Sequence, residues 1–150
     1  MSSTLMQRAL ALTQVEVFEP KSVGEREWGE ELLIMHAPGK YTGKLLKIKA
    51  GKKGGLQYHR LKDEADYLLS GQMIVRYVTL EGKLASRVIN PGESVRFPPG
   101  AVHQTEAISD CLVFEASTPH FNDRVRVEEF FGLEKEGGLP TTSLEEIETC

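Results

Sequence analysis

The feature that most constrains this chain is its turn punctuation. Pro38-Gly39, the glycine-rich loop from Gly51 to Gly55, Ser70-Gly71, Glu81-Gly82, Asn90-Pro91-Gly92 and Pro98-Pro99-Gly100 cut the middle of the sequence into short runs. Proline presets φ and glycine takes the backbone angles that tight turns require, so no long helix can cross these points. Between them lie ELLIMH (31–36), KLLKIKA (44–50), LQYH (56–59), ADYLLS (65–70), QMIVRYV (72–78), SRVIN (86–90), SVRF (94–97) and CLVFEAS (111–117). Short runs rich in β-branched, aromatic and leucine residues at this spacing predict an antiparallel sandwich or barrel. Helix is expected only over a few residues after Val127 and at the start of the chain.

Within this strand pattern, a few polar residues are spaced so that they can meet. Gln57 and His59 lie two apart and therefore face the same side of a strand, while Glu64 follows from the next run. His103 closes the block GESVRFPPGAVH, which starts at Gly92. The Pro98-Pro99-Gly100 turn would present that histidine. Two neutral imidazoles, a carboxylate and an amide oxygen form a mixed nitrogen and oxygen donor set that suits divalent zinc, iron, manganese, nickel or copper. The alternative is a polar core whose groups satisfy one another, but clustered buried His and Glu are costly without a cation. Donor set and strand count together predict a jelly-roll barrel.

These two blocks resemble the two motifs of the cupin superfamily. The first motif is Gly, five residues, His, one residue, His, three or four residues, Glu, six residues, Gly; it is matched by Gly51, Gln57, His59, Glu64 and Gly71, with Gln57 in place of the first histidine. The second is matched by Gly92, Pro98, Gly100 and His103, and Ala107 stands where an asparagine closes it. Trp28-Gly29, LQYH, EADYLLSG and STPHFNDRVRVEEFFG make the chain similar, over roughly residues 24–133, to the mannose-6-phosphate isomerase-like cupins. That resemblance implies an all-β double-stranded β-helix, a cupin domain over 23–133 after an N-terminal extension (1–22) and before a polar C-terminal tail (134–150). It also implies metal ligation by Gln57, His59, Glu64 and His103, with Gln57 either the fourth ligand or its immediate neighbour. The chain departs from the bifunctional isomerases at Leu61 and Lys62, where His and Arg are expected, and at Leu133, where an arginine closes the last block.

Three classes of function follow: a sugar or sugar-phosphate isomerase that works through an enediolate, a metal-dependent iron dioxygenase, and a non-catalytic sugar-binding cupin. Asp66 shares a strand face with Glu64 and is the candidate proton carrier, against the alternative of a solvated strand charge. Lys44 and Arg126 are the candidates for contact with a sugar-like anionic ligand, against the alternative of surface charges. His36 and His120 lie outside both motifs and are left out of the site, and Trp28 is read mainly as core packing. The formal charge of −4 argues against nucleic acid as partner. Neither a membrane-spanning apolar run nor a signal-peptide core is legible, and Cys111 and Cys150 form no disulfide framework, so a cytoplasmic protein is expected. A homodimer is expected, with alternating Val15 to Phe18 suited to pairing across a two-fold axis.

Overall fold

A computed structural model describes residues 13–136 together with Thr4 and Leu10. The polar tail beyond residue 136 and most of the expected N-terminal helix lie outside the described residues. Eleven strands follow in chain order: β1 (Lys21–Arg26), β2 (Gly29–Ala37), β3 (Tyr41–Ile48), β4 (Gln57–His59), β5 (Glu64–Ser70), β6 (Met73–Val78), β7 (Leu84–Ile89), β8 (Ser94–Phe97), β9 (His103–Ala107), β10 (Cys111–Ser117) and β11 (Arg124–Arg126). A short 3-10 helix, Glu128–Phe131, closes the described fold after Val127, where helix was expected. All pairings are antiparallel, and they build a six-stranded sheet in the order β1-β2-β3-β10-β5-β8 and a five-stranded sheet in the order β11-β4-β9-β6-β7. This is the expected all-β jelly roll, with the antiparallel pairing that the turn spacing predicts. No helix among the described residues is long and apolar enough to cross a membrane.

Period-two alternation decides which side chains enter the barrel. In β5, Glu64, Asp66 and Leu68 are buried while Ala65, Tyr67 and Leu69 are exposed. In β10, Cys111, Val113, Glu115 and Ser117 point inward. The apolar end of the interior is a cluster of Ile48, Leu68, Met73, Val75, Ile89, Phe97, Ala107, Cys111 and Val113, and Trp28 packs against it. A smaller cluster of Leu56, Val125 and Val127 lies under β4 and β11. Gly71 shows why the β5–β6 turn needs glycine: its φ is +87°, and a Cβ there would run into the Asp110 carbonyl. Three strands carry no clear signature in the sequence, namely β1, β9 and β11. Residues 13–20, where Val15 to Phe18 were expected to pair, form no strand within the chain.

Candidate metal centre

Three elements converge on the polar end of the barrel. β4 lies between β11 and β9, so Tyr58 turns outward onto the Leu56, Val125 and Val127 cluster while Gln57 and His59 face inward. Gln57 stands opposite His103 in the β4–β9 register. The Pro98–Gly100 turn is tied directly to β4, because the Gly100 amide donates to the His59 carbonyl at 2.8 Å. Phe97, the last residue of β8, stacks flat on the His103 ring, with centroids 3.8 Å apart and planes 7° from parallel. The ring is thus held in place by packing as well as by hydrogen bonding.

His59, Glu64 and His103 are all buried, and their potential ligand atoms lie within 4.8 Å of one another. His59 Nε2 is 3.2 Å and His103 Nε2 is 3.7 Å from Glu64 Oε1. Each ring is anchored through its other nitrogen: His103 Nδ1 lies 2.9 Å from the Ala101 carbonyl, and His59 Nδ1 lies 3.2 Å from Asp123 Oδ1. A proton on each Nδ1 leaves each Nε2 lone pair aimed at Glu64, the arrangement that metal-bound histidines take up. Burial holds the His103 pKa below that of an ordinary imidazole, which keeps the ring neutral. Glu64 is also buried, which opposes ionisation, but the Lys62 ammonium holds it well below the usual carboxylate range. Two neutral imidazoles and one carboxylate fit a divalent ion, with the Gln57 amide on the same cavity wall.

Beneath this group, along the same strands, lie further buried charges. Asp66 and Glu115 face Glu64, and ligand atoms of these three carboxyls also fall within 4.8 Å of one another. Lys62 reaches in from the β4–β5 loop, with Nζ 3.1 Å from Glu115 Oε2 and 3.7 Å from Glu64 Oε1. Glu115 also accepts a 3.0 Å hydrogen bond from the Ser117 hydroxyl. Burial, and then the neighbouring Glu64 and Glu115 charges, push Asp66 well above an ordinary aspartate. Burial and Glu64 likewise raise Glu115 to about 7. Carboxyls crowded in low dielectric cannot all ionise unless cations compensate.

These groups line a cavity of about 580 Å³. Lys44 and Arg126 both line it, and both are buried rather than exposed surface charges. Lys44 Nζ sits 2.7 Å from Glu31 Oε1 and 5.2 Å from the centroid of the Phe121 ring, while Arg126 Nε donates to Glu128 Oε1 at 2.9 Å. Asp66 is buried, so the alternative of a solvated strand charge does not hold. His120, left out of the site on sequence grounds, also lines the cavity, and its Nδ1 lies 2.9 Å from the Thr118 hydroxyl. Trp28 borders both the cavity and the apolar core.

The sequence reading missed Asp123, Lys62 and Glu115. Asp123 orients His59 and, through Oδ2, accepts the Leu61 and Lys62 amides at 2.8 and 2.9 Å. Burial would raise its pKa, but those amide hydrogen bonds keep it below the usual value. Glu115 was legible by the alternation that singled out Asp66, counted on from Val113. In the sequence Lys62 stands out only as a departure from the pattern of the bifunctional isomerases.

The sequence matches no protein-family model and no curated protein sequence. Solved structures do match. CapF from Staphylococcus aureus, a capsular polysaccharide assembling protein, aligns with a TM-score of 0.65 at 17% identity over 74% of this chain and 32% of its own. A variant of oxalate decarboxylase from Bacillus subtilis aligns with a TM-score of 0.64 at 15% identity, over 81% of this chain and 39% of its own. An RmlC-like cupin from Shewanella frigidimarina aligns with a TM-score of 0.56 at 17% identity, over 70% of this chain and 86% of its own. The chain spans about a third of the length of the CapF chains. What these likenesses share with the chain is the fold, the jelly roll of cupin-type proteins, and in this chain that fold contains a His and Glu group able to hold a metal ion.

Proposed function

We propose that the chain is a metal-dependent enzyme that acts on a small polyhydroxylated carbonyl compound, a sugar or sugar phosphate, and moves the carbonyl between adjacent carbons as an aldose–ketose isomerase does. The observation that carries this reading is that His59, Glu64 and His103 meet a second carboxyl, Asp66, in one polar cavity. A divalent ion held by these three residues, with Gln57 as fourth ligand or neighbour, would polarise a carbonyl and hydroxyl pair. Asp66 is the proton carrier in this reading. Burial and the neighbouring Glu64 and Glu115 charges raise its pKa, which favours a carboxyl that can donate a proton as well as accept one, as transfer between neighbouring carbons requires. Lys44 and Arg126 would face the substrate, but their pairing with Glu31 and Glu128 leaves little uncompensated charge for a phosphate. The likeness in fold to CapF, a capsular polysaccharide assembling protein, agrees with a carbohydrate ligand.

Two histidines and one carboxylate are also the donor set of iron-dependent oxygenases, which gives a second reading. Metal analysis of protein purified without added metal separates the two. The direct test is turnover of aldoses, ketoses and their phosphates by metal-loaded protein, with Asp66→Asn alongside. That variant should keep its metal and lose turnover by a factor on the order of a hundred. Unchanged turnover would remove Asp66 from the mechanism, and no turnover of any sugar by the wild type would favour a sugar-binding protein. We also propose a cytoplasmic homodimer, since Val15 and Val17 stand 86% and 94% exposed ahead of the edge strand β1. Light scattering at micromolar concentration should give twice the chain mass; a monomer mass overturns the dimer.

A further inference from the structure

We propose that Glu64, Asp66 and Glu115 form a second cation site beside the metal centre, and that the Lys62 ammonium occupies it and keeps the centre mononuclear. The term mononuclear rests on the metal reading of His59, Glu64 and His103; the second site does not. All three carboxyls are buried, and each offers an oxygen within 4.8 Å of the others. The donors are oxygen alone, which suits hard ions such as Mn2+ or Mg2+ rather than the softer metals that favour imidazole.

A cluster of acids is not in itself a site, and Asp66 supplies the further observation. Its side chain sits in a residue only 5% exposed, yet Oδ1 has no hydrogen-bond partner among the described residues. A buried carboxylate oxygen left without a partner is costly. Lys62 meets Glu115 at 3.1 Å and Glu64 at 3.7 Å, so the ammonium serves two of the three carboxyls and leaves Asp66 Oδ1 unanswered. A divalent ion at the same place could take an oxygen from each. Glu64 belongs to both groups of ligands, so it is the residue through which a second ion would touch the first. Lys62 supplies positive charge there from the chain itself and is tied by its backbone amide to Asp123, the partner of His59.

The experiment is a Mn2+ titration of the intact protein, followed by equilibrium dialysis with metal analysis and by electron paramagnetic resonance. Wild type should take one equivalent, uncoupled, even with Mn2+ in tenfold excess. Lys62→Met should take two, with the spectrum broadened by coupling between the ions, and Lys62→Met with Asp66→Asn should return to one. Lys62→Arg, which keeps the charge, should stay at one. A second equivalent in wild type at the same affinity would overturn the proposal, as would a single equivalent in Lys62→Met where wild type also binds one. Failure of Lys62→Met to fold even in Mn2+ would overturn it too, since an ion able to replace the ammonium should restore the fold. If wild type binds no Mn2+ while Lys62→Met binds one equivalent that Asp66→Asn abolishes, the second site stands and the His59, Glu64 and His103 reading falls. One equivalent in both proteins does the reverse.

Discussion

Across β3, β10 and β5 the inward side chains form successive rows, and along them the chemistry changes from polar to apolar within a single two-residue step. Thr42, Ser117 and Glu64 form one row and Lys44, Glu115 and Asp66 the next; then come Leu46, Val113 and Leu68. Glu115 is 4% exposed and Val113 1%, so depth of burial does not distinguish the two ends. The difference lies in what meets each row from elsewhere. Met73 and Val75 of β6 and Ile89 of β7 join the apolar rows, which then stabilise the fold at about 25 cal/mol per Å² of apolar surface removed from water. Lys62, His59 and His103 meet the polar rows, where burial costs free energy unless each charge finds a partner. Stability is thus concentrated at one end of a shared set of strands and chemistry at the other, the separation expected when a site is grafted onto a rigid scaffold.

This contrast can be broken from either side. The largest effect is expected at the polar end: His59→Ala combined with His103→Ala removes both imidazoles and should weaken metal binding on the order of a thousandfold or more. Metal content of the purified double variant checks this, and full occupancy would sink the centre. At the apolar end, Leu68→Ala should cost about 2–5 kcal/mol in denaturant unfolding while the folded protein keeps its metal stoichiometry. A cost below about 1 kcal/mol would mean that the interior collapses around the lost volume. The smallest effect is expected from Asp123→Asn, which leaves every ligand in place but weakens the hold on the His59 ring. Metal affinity should fall about 10–100-fold by competition with a chelator. Unchanged affinity would show that packing alone orients His59.

Much of this was legible in the sequence because alternation is a local property of the chain. Turn residues at Gly71, Gly92 and Gly100 and runs such as ADYLLS and CLVFEAS sufficed to predict strands and the faces they bury. The spacing of His59, Glu64 and His103 was enough to expect them in one place, and the structure brings them within 4.8 Å of one another. β9, with the polar sequence HQTEA, is a strand because β4 and β6 flank it. Three-residue β11 is a strand because it pairs with β4, and β1 because β2 supplies a partner. The partners of the site residues were also beyond a local reading. Asp123 reaches His59 across 64 positions of sequence, and Glu115 lies 53 positions beyond the lysine it pairs with (115 − 62). Periodicity states which way a side chain faces, but what it meets is decided by strand register across the barrel, a balance of distant contacts that no short window of sequence contains.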